Sequence, residues 1–472
     1  MNEKQSKNSS KKPNIVFVFG DEWRGQAVGY AGDKNCHTPV IDSFSKEGVI
    51  FTNAISGCSV CCPYRASLMT GQYPITNGVF VNDVELKKDC YSIAIAFSDN
   101  GYNTAYIGKW HLYGSPKGQY ERRENFVPRD HQLGFDYWKG FECTHDYNDS
   151  KYFFNDDPTE RKWEGYDAFP QSRDAADYIK THSKDEEPFM LLLSWGPPHF
   201  PLNSAPEKYR KMYENKEIVL RPNVPEDQKK NAIRDLKGYY AHIAALDDAF
   251  KIVWDSVKES GIEDDTIFIF TSDHGDMMFS QGLEMKLFPF KESINVPFLL
   301  HYPPITGRKT SKLTVPIDAP DIMPTLLGLC GLKIPETVEG RDWSPYIKGE
   351  KKITGEETGL LNMPSEFSLL FDYGINAYRG IYSLDCTYVR DTNGPWLLFD
   401  NRKDPCQMKN LIDVPEYKTI QDDMEKRLKE KLLSIHDEFL DGETYRKRFN
   451  LTHYMESDRE SFKNSRRSER SH

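Results

Sequence analysis

From residue 14 to about 340, short apolar runs alternate with segments of helical period, and this constrains the fold more than any other feature. Residues 14–19 (NIVFVF), 49–55, 103–107, 189–194 (FMLLLS), 266–271 (TIFIFT) and 296–301 read as buried strands, too short and too evenly apolar for amphipathic helices. Residues 39–47, 63–69, 90–100, 175–181, 236–259 and 321–330 read as helices. In the longest of them Ile243, Leu246, Phe250, Val253 and Val257 keep to one face. Strands that alternate with helices predict a mainly parallel α/β sheet sandwiched by helices.

The texture changes after Gly349, so the chain is divided into an α/β domain over 13–350 and a smaller α+β subdomain over 351–472. Within the second, 380–390 and 395–399 are expected to be antiparallel strands and 417–438 a charged helix. The polar stretch 445–472 is expected to be loosely ordered. With no run of about 18 apolar residues, no transmembrane segment is expected. The formal net charge of −11 argues against nucleic-acid binding, which needs clustered cationic residues. The nine cysteines are scattered rather than framed as a disulfide scaffold.

In a doubly wound sheet, ligands bind beyond the carboxyl ends of the strands. The polar residues just past the apolar runs are Asp21 and Glu22, then Cys61 and Arg65, Lys109 and His111 (GKWH), His199 (PPHFP), and Asp273 and His274 (SDHGD), with Lys286 further on. Singly, each is more often a loop cap, a buried cysteine or a solvated charge. Jointly they place hard oxygen donors and a nitrogen donor for a divalent cation beside a cysteine at a helix start. Arg65, Lys109 and Lys286 add positive charge for a tetrahedral anion, and His111 and His199 can move protons. That set suits transfer of a sulfuryl or phosphoryl group.

The run Cys61-Cys62-Pro63-Tyr64-Arg65, continued by SLMTG, resembles the Cys-x-Pro-x-Arg signature of the type I sulfatases. PNIVFVFGDEWR, GYNTAYIGKWH, PPHFP, FIFTSDHGD and ESINVPFLLHYP resemble that family's stretches in the same order. The resemblance implies an alkaline-phosphatase-like fold and conversion of Cys61 to Cα-formylglycine by a formylglycine-generating or anaerobic sulfatase-maturing enzyme. It implies Asp21, Glu22, Asp273, His274 and modified residue 61 as metal ligands, with Ca²⁺ expected and Mn²⁺ the alternative. It further implies that His199 protonates the leaving alcohol and that His111 helps expel sulfate. Arg65 would stabilise the diol of residue 61, while Lys109 and Lys286 neutralise sulfate oxygens. Cys62 would merely fill the variable position.

The chain departs from the family pattern at Glu22, His274 and Tyr64, where Asp, Asn and a small residue are common. The expected substrate is a sulfated carbohydrate, of glycosaminoglycan or mucin type, with 140–149 (GFECTHDYND) either a sugar subsite or a polar loop. The alternatives are a phosphonate monoester or phosphodiester hydrolase of the same superfamily, and a non-catalytic sulfated-glycan binder should Cys61 stay a thiol. Family analogy points to a periplasmic or otherwise exported protein, although MNEKQSKNSSKKPN has no apolar signal core; a cytoplasmic location is the other possibility.

Overall fold

The structure is a computed structural model and describes residues 11–454. Ten strands form one sheet: β1 (Asn14–Asp21), β2 (Val49–Phe51), β3 (Asn103–Lys109), β4 (Tyr137–Phe141), β5 (Lys151–Phe154), β6 (Asp157–Lys162), β7 (Phe189–Pro198), β8 (Thr266–Ser272), β9 (Phe298–His301) and β10 (Ser311–Leu313). Their order is β10-β2-β9-β8-β1-β7-β3-β4-β5-β6. The centre is parallel, β1 lying between β7 and β8, with β3 paired to β7 and β4. β9 runs antiparallel to both β2 and β8, and β5 and β6 add an antiparallel edge.

Strand alternation sorts the core into two layers. Ile15, Phe17 and Phe19 of β1 join one hydrophobic cluster with Ile267 and Ile269 of β8, under the helices Cys61–Thr70 and Ala319–Leu329. Val16 and Val18 join the other with Phe268 and Phe270, covered by Ala168–His182 and the long helix Lys229–Glu259. The α/β sandwich expected from the alternation is therefore present, with helices on both faces.

Element boundaries differ from the sequence reading where local chemistry outweighs periodicity. The strand expected over 49–55 pairs only as far as Phe51, Ile55 returning as an isolated bridge to Asn295. The helix expected from residue 321 begins at Ala319, because Asp318 and Asp321 form a capping box. The single strand expected over 380–390 is two, β12 (Tyr378–Tyr382) and β13 (Cys386–Asp391). They turn at Ser383, whose Oγ accepts the Cys386 N–H at 3.0 Å. With β11 (Gly359–Met363) and β14 (Gly394–Asp400) they make a separate antiparallel sheet of four strands, backed by the helix Lys418–Ser434. A short helix, Gly442–Arg448, occupies part of the stretch expected to be loose, and residues 455–472 of that stretch lie outside the described residues. None of the nine cysteines is in a disulfide, and no described helix is long and apolar enough to cross a membrane.

Candidate active site

Each residue singled out in the sequence lies at the carboxyl rim of the parallel strands. Asp21 ends β1 and Glu22 follows it; Lys109 ends β3, with His111 two residues on. His199 follows β7, Asp273 and His274 follow β8, and Lys286 lies in the connection from β8 to β9. Cys61 and Arg65 sit in the first turns of the helix Cys61–Thr70, which starts two residues earlier than its proline suggests. All ten side chains are buried, Lys286 being the most exposed at 5%. The rim is held in backbone conformations that non-glycine residues adopt only under constraint: φ is 69° at Glu22, 55° at His111 and 63° at Met285. Gly108 allows β3 to lie close to β7, since a Cβ there would meet the Ser194 carbonyl oxygen at 2.0 Å.

Asp21, Cys61, Asp273 and His274 present donor atoms that all lie within 4.8 Å of one another. Cys61 Sγ is 3.2 Å from His274 Nε2 and 3.7 Å from Asp21 Oδ1. His274 Nδ1 donates to the Gly275 carbonyl at 2.9 Å, which leaves the Nε2 lone pair facing the cluster. Asp273 Oδ1 accepts the N–H groups of Glu22 and His274. Two carboxylates, an imidazole lone pair and an atom of residue 61 make a donor set that fits one divalent cation.

Arg65 braces this cluster from beneath. Its guanidinium bridges Asp21 Oδ2 at 3.1 Å and Asp273 Oδ2 at 3.2 Å, and donates to Ser194 Oγ and the Lys109 carbonyl. Lys109 Nζ donates to Asp21 Oδ2 at 2.6 Å. Burial raises the Asp21 proton affinity, but Lys109, with Arg65 and His274, outweighs it and holds the carboxyl well below the usual range. Burial and Asp21 also oppose ionisation of Cys61, yet Lys286, Lys109 and His274 pull its thiol well below the ordinary value.

Glu22 stands to one side of the cluster. Its Oε2 lies 3.2 Å from His199 Nε2 and 3.4 Å from Lys286 Nζ, while the buried Oε1 has no hydrogen-bond partner. His199 Nε2 lies 2.7 Å from Lys286 Nζ, and the ring stacks on His145 with centroids 4.5 Å apart. Burial, then the charges of Lys286 and His145, drive the His199 proton affinity well down, so the resting imidazole is neutral.

His111 is placed apart from the acidic cluster, with its Nε2 3.7 Å from Asp83 Oδ1. Asp83 is gripped by Arg123 through two hydrogen bonds of 2.8 and 2.6 Å. Burial opposes a charge on His111, but Cys143, Cys62 and Asp83 raise its proton affinity well above the ordinary value. Cys62 therefore does more than fill a variable position: it is buried beside His111, and its Sγ accepts the Asp83 N–H at 3.2 Å.

Ser194, Asp83, Arg123, Cys143 and His145 were not among the residues singled out from sequence. Ser194 was legible as the last residue of FMLLLS, and Cys143 and His145 lie inside the GFECTHDYND segment. Asp83 and Arg123 come from loops with no periodic signal.

The family model described as Sulfatase matches residues 13–332. The chain belongs to the sulfatase family. Its sequence relatives are sulfatases, and this chain is a sulfuric ester hydrolase. A second family model, N-sulphoglucosamine sulphohydrolase, C-terminal, matches 281–433. An ulvan-active sulfatase of Formosa agariphila is 42% identical over 448 residues, covering 94% of this chain and 86% of that protein. An endo-4-O-sulfatase of Bacteroides thetaiotaomicron is 31% identical over 487 residues, covering 92% and 94%. A solved Bacteroides thetaiotaomicron structure, described with that organism's metabolism of multiple glycosaminoglycans, superposes with a TM-score of 0.80 at 29% identity, covering 90% of this chain and 97% of its own. The mixed sheet with its separate four-stranded antiparallel sheet is the fold of these sulfatases.

Proposed function

We propose that this sulfatase removes sulfate from a sulfated saccharide, using residue 61 after conversion of Cys61 to formylglycine. One observation carries the reading: Cys61 lies against Asp21 and His274 on one side of a buried site that also holds the His199–Lys286 pair. The ulvan-active relative and the structure described with the metabolism of multiple glycosaminoglycans support the substrate class.

Asp21, Asp273, His274 and residue 61 would hold the divalent ion, with Glu22 Oε1 available as a further donor. Bound, the ion supplies Lewis acidity toward sulfate, and formylglycine supplies a nucleophilic oxygen once hydrated. Ca²⁺ suits the carboxylates, while the His274 nitrogen leaves Mn²⁺ as the second choice.

Lys109 and Lys286 neutralise sulfate oxygens in a site where burial strengthens every charge. Arg65 keeps the two carboxylates aligned, and its charge favours the negative oxygen of hydrated residue 61. His199 delivers a proton to the leaving alcohol. A bound anion beside it raises its proton affinity, opposing the burial and the Lys286 charge that lower it. His111, in its neutral form, takes the proton of residue 61 when sulfate is expelled, and Asp83, 3.7 Å away, stabilises the imidazolium that results.

The test is sulfate release from a panel of sulfated saccharides by protein coexpressed with a sulfatase-maturing enzyme, with the residue-61 peptide weighed in the same preparation. Sulfate release only from preparations carrying the aldehyde is expected. Full release from protein with an unmodified Cys61 would end the formylglycine reading. The nitrogen donor at His274 favours one second reading, a phosphonate monoester or phosphodiester hydrolase, and faster turnover of such esters than of any sulfate ester would establish it.

A further inference from the structure

We propose that Glu142 is a positioning residue for His111: its carboxylate gathers three consecutive backbone N–H groups and so fixes the turn that aims the imidazole into the site. This rests on the reading of His111 as the group that takes the proton of residue 61.

Glu142 follows β4 and is 1% exposed. Its Oε2 accepts the N–H groups of Leu112 at 3.2 Å and Tyr113 at 3.0 Å, and its Oε1 accepts that of Gly114 at 2.8 Å. Its backbone carbonyl accepts the His111 N–H at 2.7 Å. One residue thus holds four successive N–H groups, and the last three converge as an anion-binding nest filled by the chain's own carboxylate. The opposite side of the turn is fixed too: the Leu112 carbonyl accepts the Leu86 N–H at 3.0 Å, and the Ser115 N–H donates to the Asp83 carbonyl at 2.7 Å. At Gly114, with φ 66°, a Cβ would lie 2.4 Å from the Glu85 nitrogen, so the loop has no room to shift that way.

Two features make this more than loop anchoring. No lysine or arginine pairs with Glu142 among the described residues, and a buried carboxylate without a cation is costly where packing alone is needed. The turn it holds carries His111 at φ 55°, a conformation that a histidine keeps only when its surroundings enforce it. Released, the backbone at His111 would relax and carry the ring away from Asp83 and Cys62. Glutamine is the informative replacement, because it keeps the shape and one acceptor but turns an NH₂ toward N–H groups.

The experiment is a double-mutant cycle on matured enzyme with Glu142→Gln, His111→Ala and the two combined, the aldehyde content of residue 61 being weighed in each. Glu142→Gln is expected to lower kcat about 10- to 100-fold, the usual cost of removing an orienting partner, with KM little changed. The double variant is expected to be no slower than His111→Ala alone, because Glu142 acts through His111. Multiplying losses, or full activity in Glu142→Gln beside a slow His111→Ala, would overturn the proposal alone. A wild-type rate in His111→Ala would overturn the reading of His111 and the proposal with it. Should Glu142→Gln fold poorly, Gly114→Ala tests the same turn from its other side, with the same loss in kcat expected and unchanged kcat counting against the proposal.

Discussion

The ammonium of Lys286 lies 2.7 Å from Nε2 of His199, while Nδ1 of the same ring donates to the Phe200 carbonyl at 3.0 Å. The tautomer is thereby set: Nδ1 carries the proton and Nε2 is the basic nitrogen. An imidazole so placed is neutral at rest and strongly acidic once protonated. His199→Ala is expected to slow hydrolysis of alkyl sugar sulfates by roughly 10²- to 10⁴-fold, the range for general acid catalysis. Loss on an aryl sulfate with a good leaving group should be much smaller, since that oxygen leaves without a proton. Equal losses on both substrates would remove His199 from the proton transfer.

The acidic cluster gives a second expected outcome. Asp21 and Asp273 share Arg65, and Lys109 adds a further cation on Asp21, so the isosteric Asp21→Asn changes charge while keeping these contacts approximately in place. A ligand that binds only the folded state at 100 times its Kd stabilises by about 2.7 kcal/mol. Added Ca²⁺ should therefore raise the Tm of the wild type, and Asp21→Asn should lose most of that rise. A Ca²⁺-dependent rise that survives in Asp21→Asn would place the ion elsewhere.

The strands and the rim were legible in the sequence because both follow from short-range rules. A buried parallel strand is a run such as FMLLLS, and its carboxyl end is the residue after the run. So Asp21, Lys109, Asp273 and His274 could be assigned to one edge before any geometry was known. Distances between loops were not legible. Glu22 reads as a natural partner of Asp21, yet its positive φ turns Oε2 toward His199 and Lys286. Asp83 lies in a segment without periodic pattern and meets His111 only because the chain folds back on itself. The split of 380–390 into two strands was missed for a local reason: a turn built on a serine side chain leaves the apolar alternation on either side intact.

Cys62 illustrates a residue whose neighbours change its meaning. Its Sγ accepts the Asp83 N–H, and Asp83 faces His111. Cys62→Ala should still yield a formylglycine at residue 61, but with about 1 kcal/mol less stability, the typical net worth of one hydrogen bond, and a several-fold lower kcat. Cys62→Ser, which keeps an acceptor, should recover most of both. Cys61→Ala should abolish activity outright. Wild-type kcat in Cys62→Ala, with residue 61 converted, would show that the Asp83 contact has no bearing on the site.

Asp167, at the start of the helix Ala168–His182, provides a stability test that leaves the chemistry aside. Burial pushes its carboxyl up to about 8, although Ser150 and Gln171 nearby favour the charged form. In the unfolded chain the same group titrates near 3.9. Between these values the folded state binds the extra proton, so this group's contribution to stability falls as pH rises through the window, at on the order of 1.4 kcal/mol per pH unit. Asparagine resembles the protonated acid. Asp167→Asn should therefore match the wild type only below about pH 4, where the acid is neutral in both the folded and the unfolded chain, and should have the higher Tm above that, by a margin that widens toward pH 8. Parallel Tm curves for the two proteins across that range would mean that Asp167 is ionised in the fold throughout.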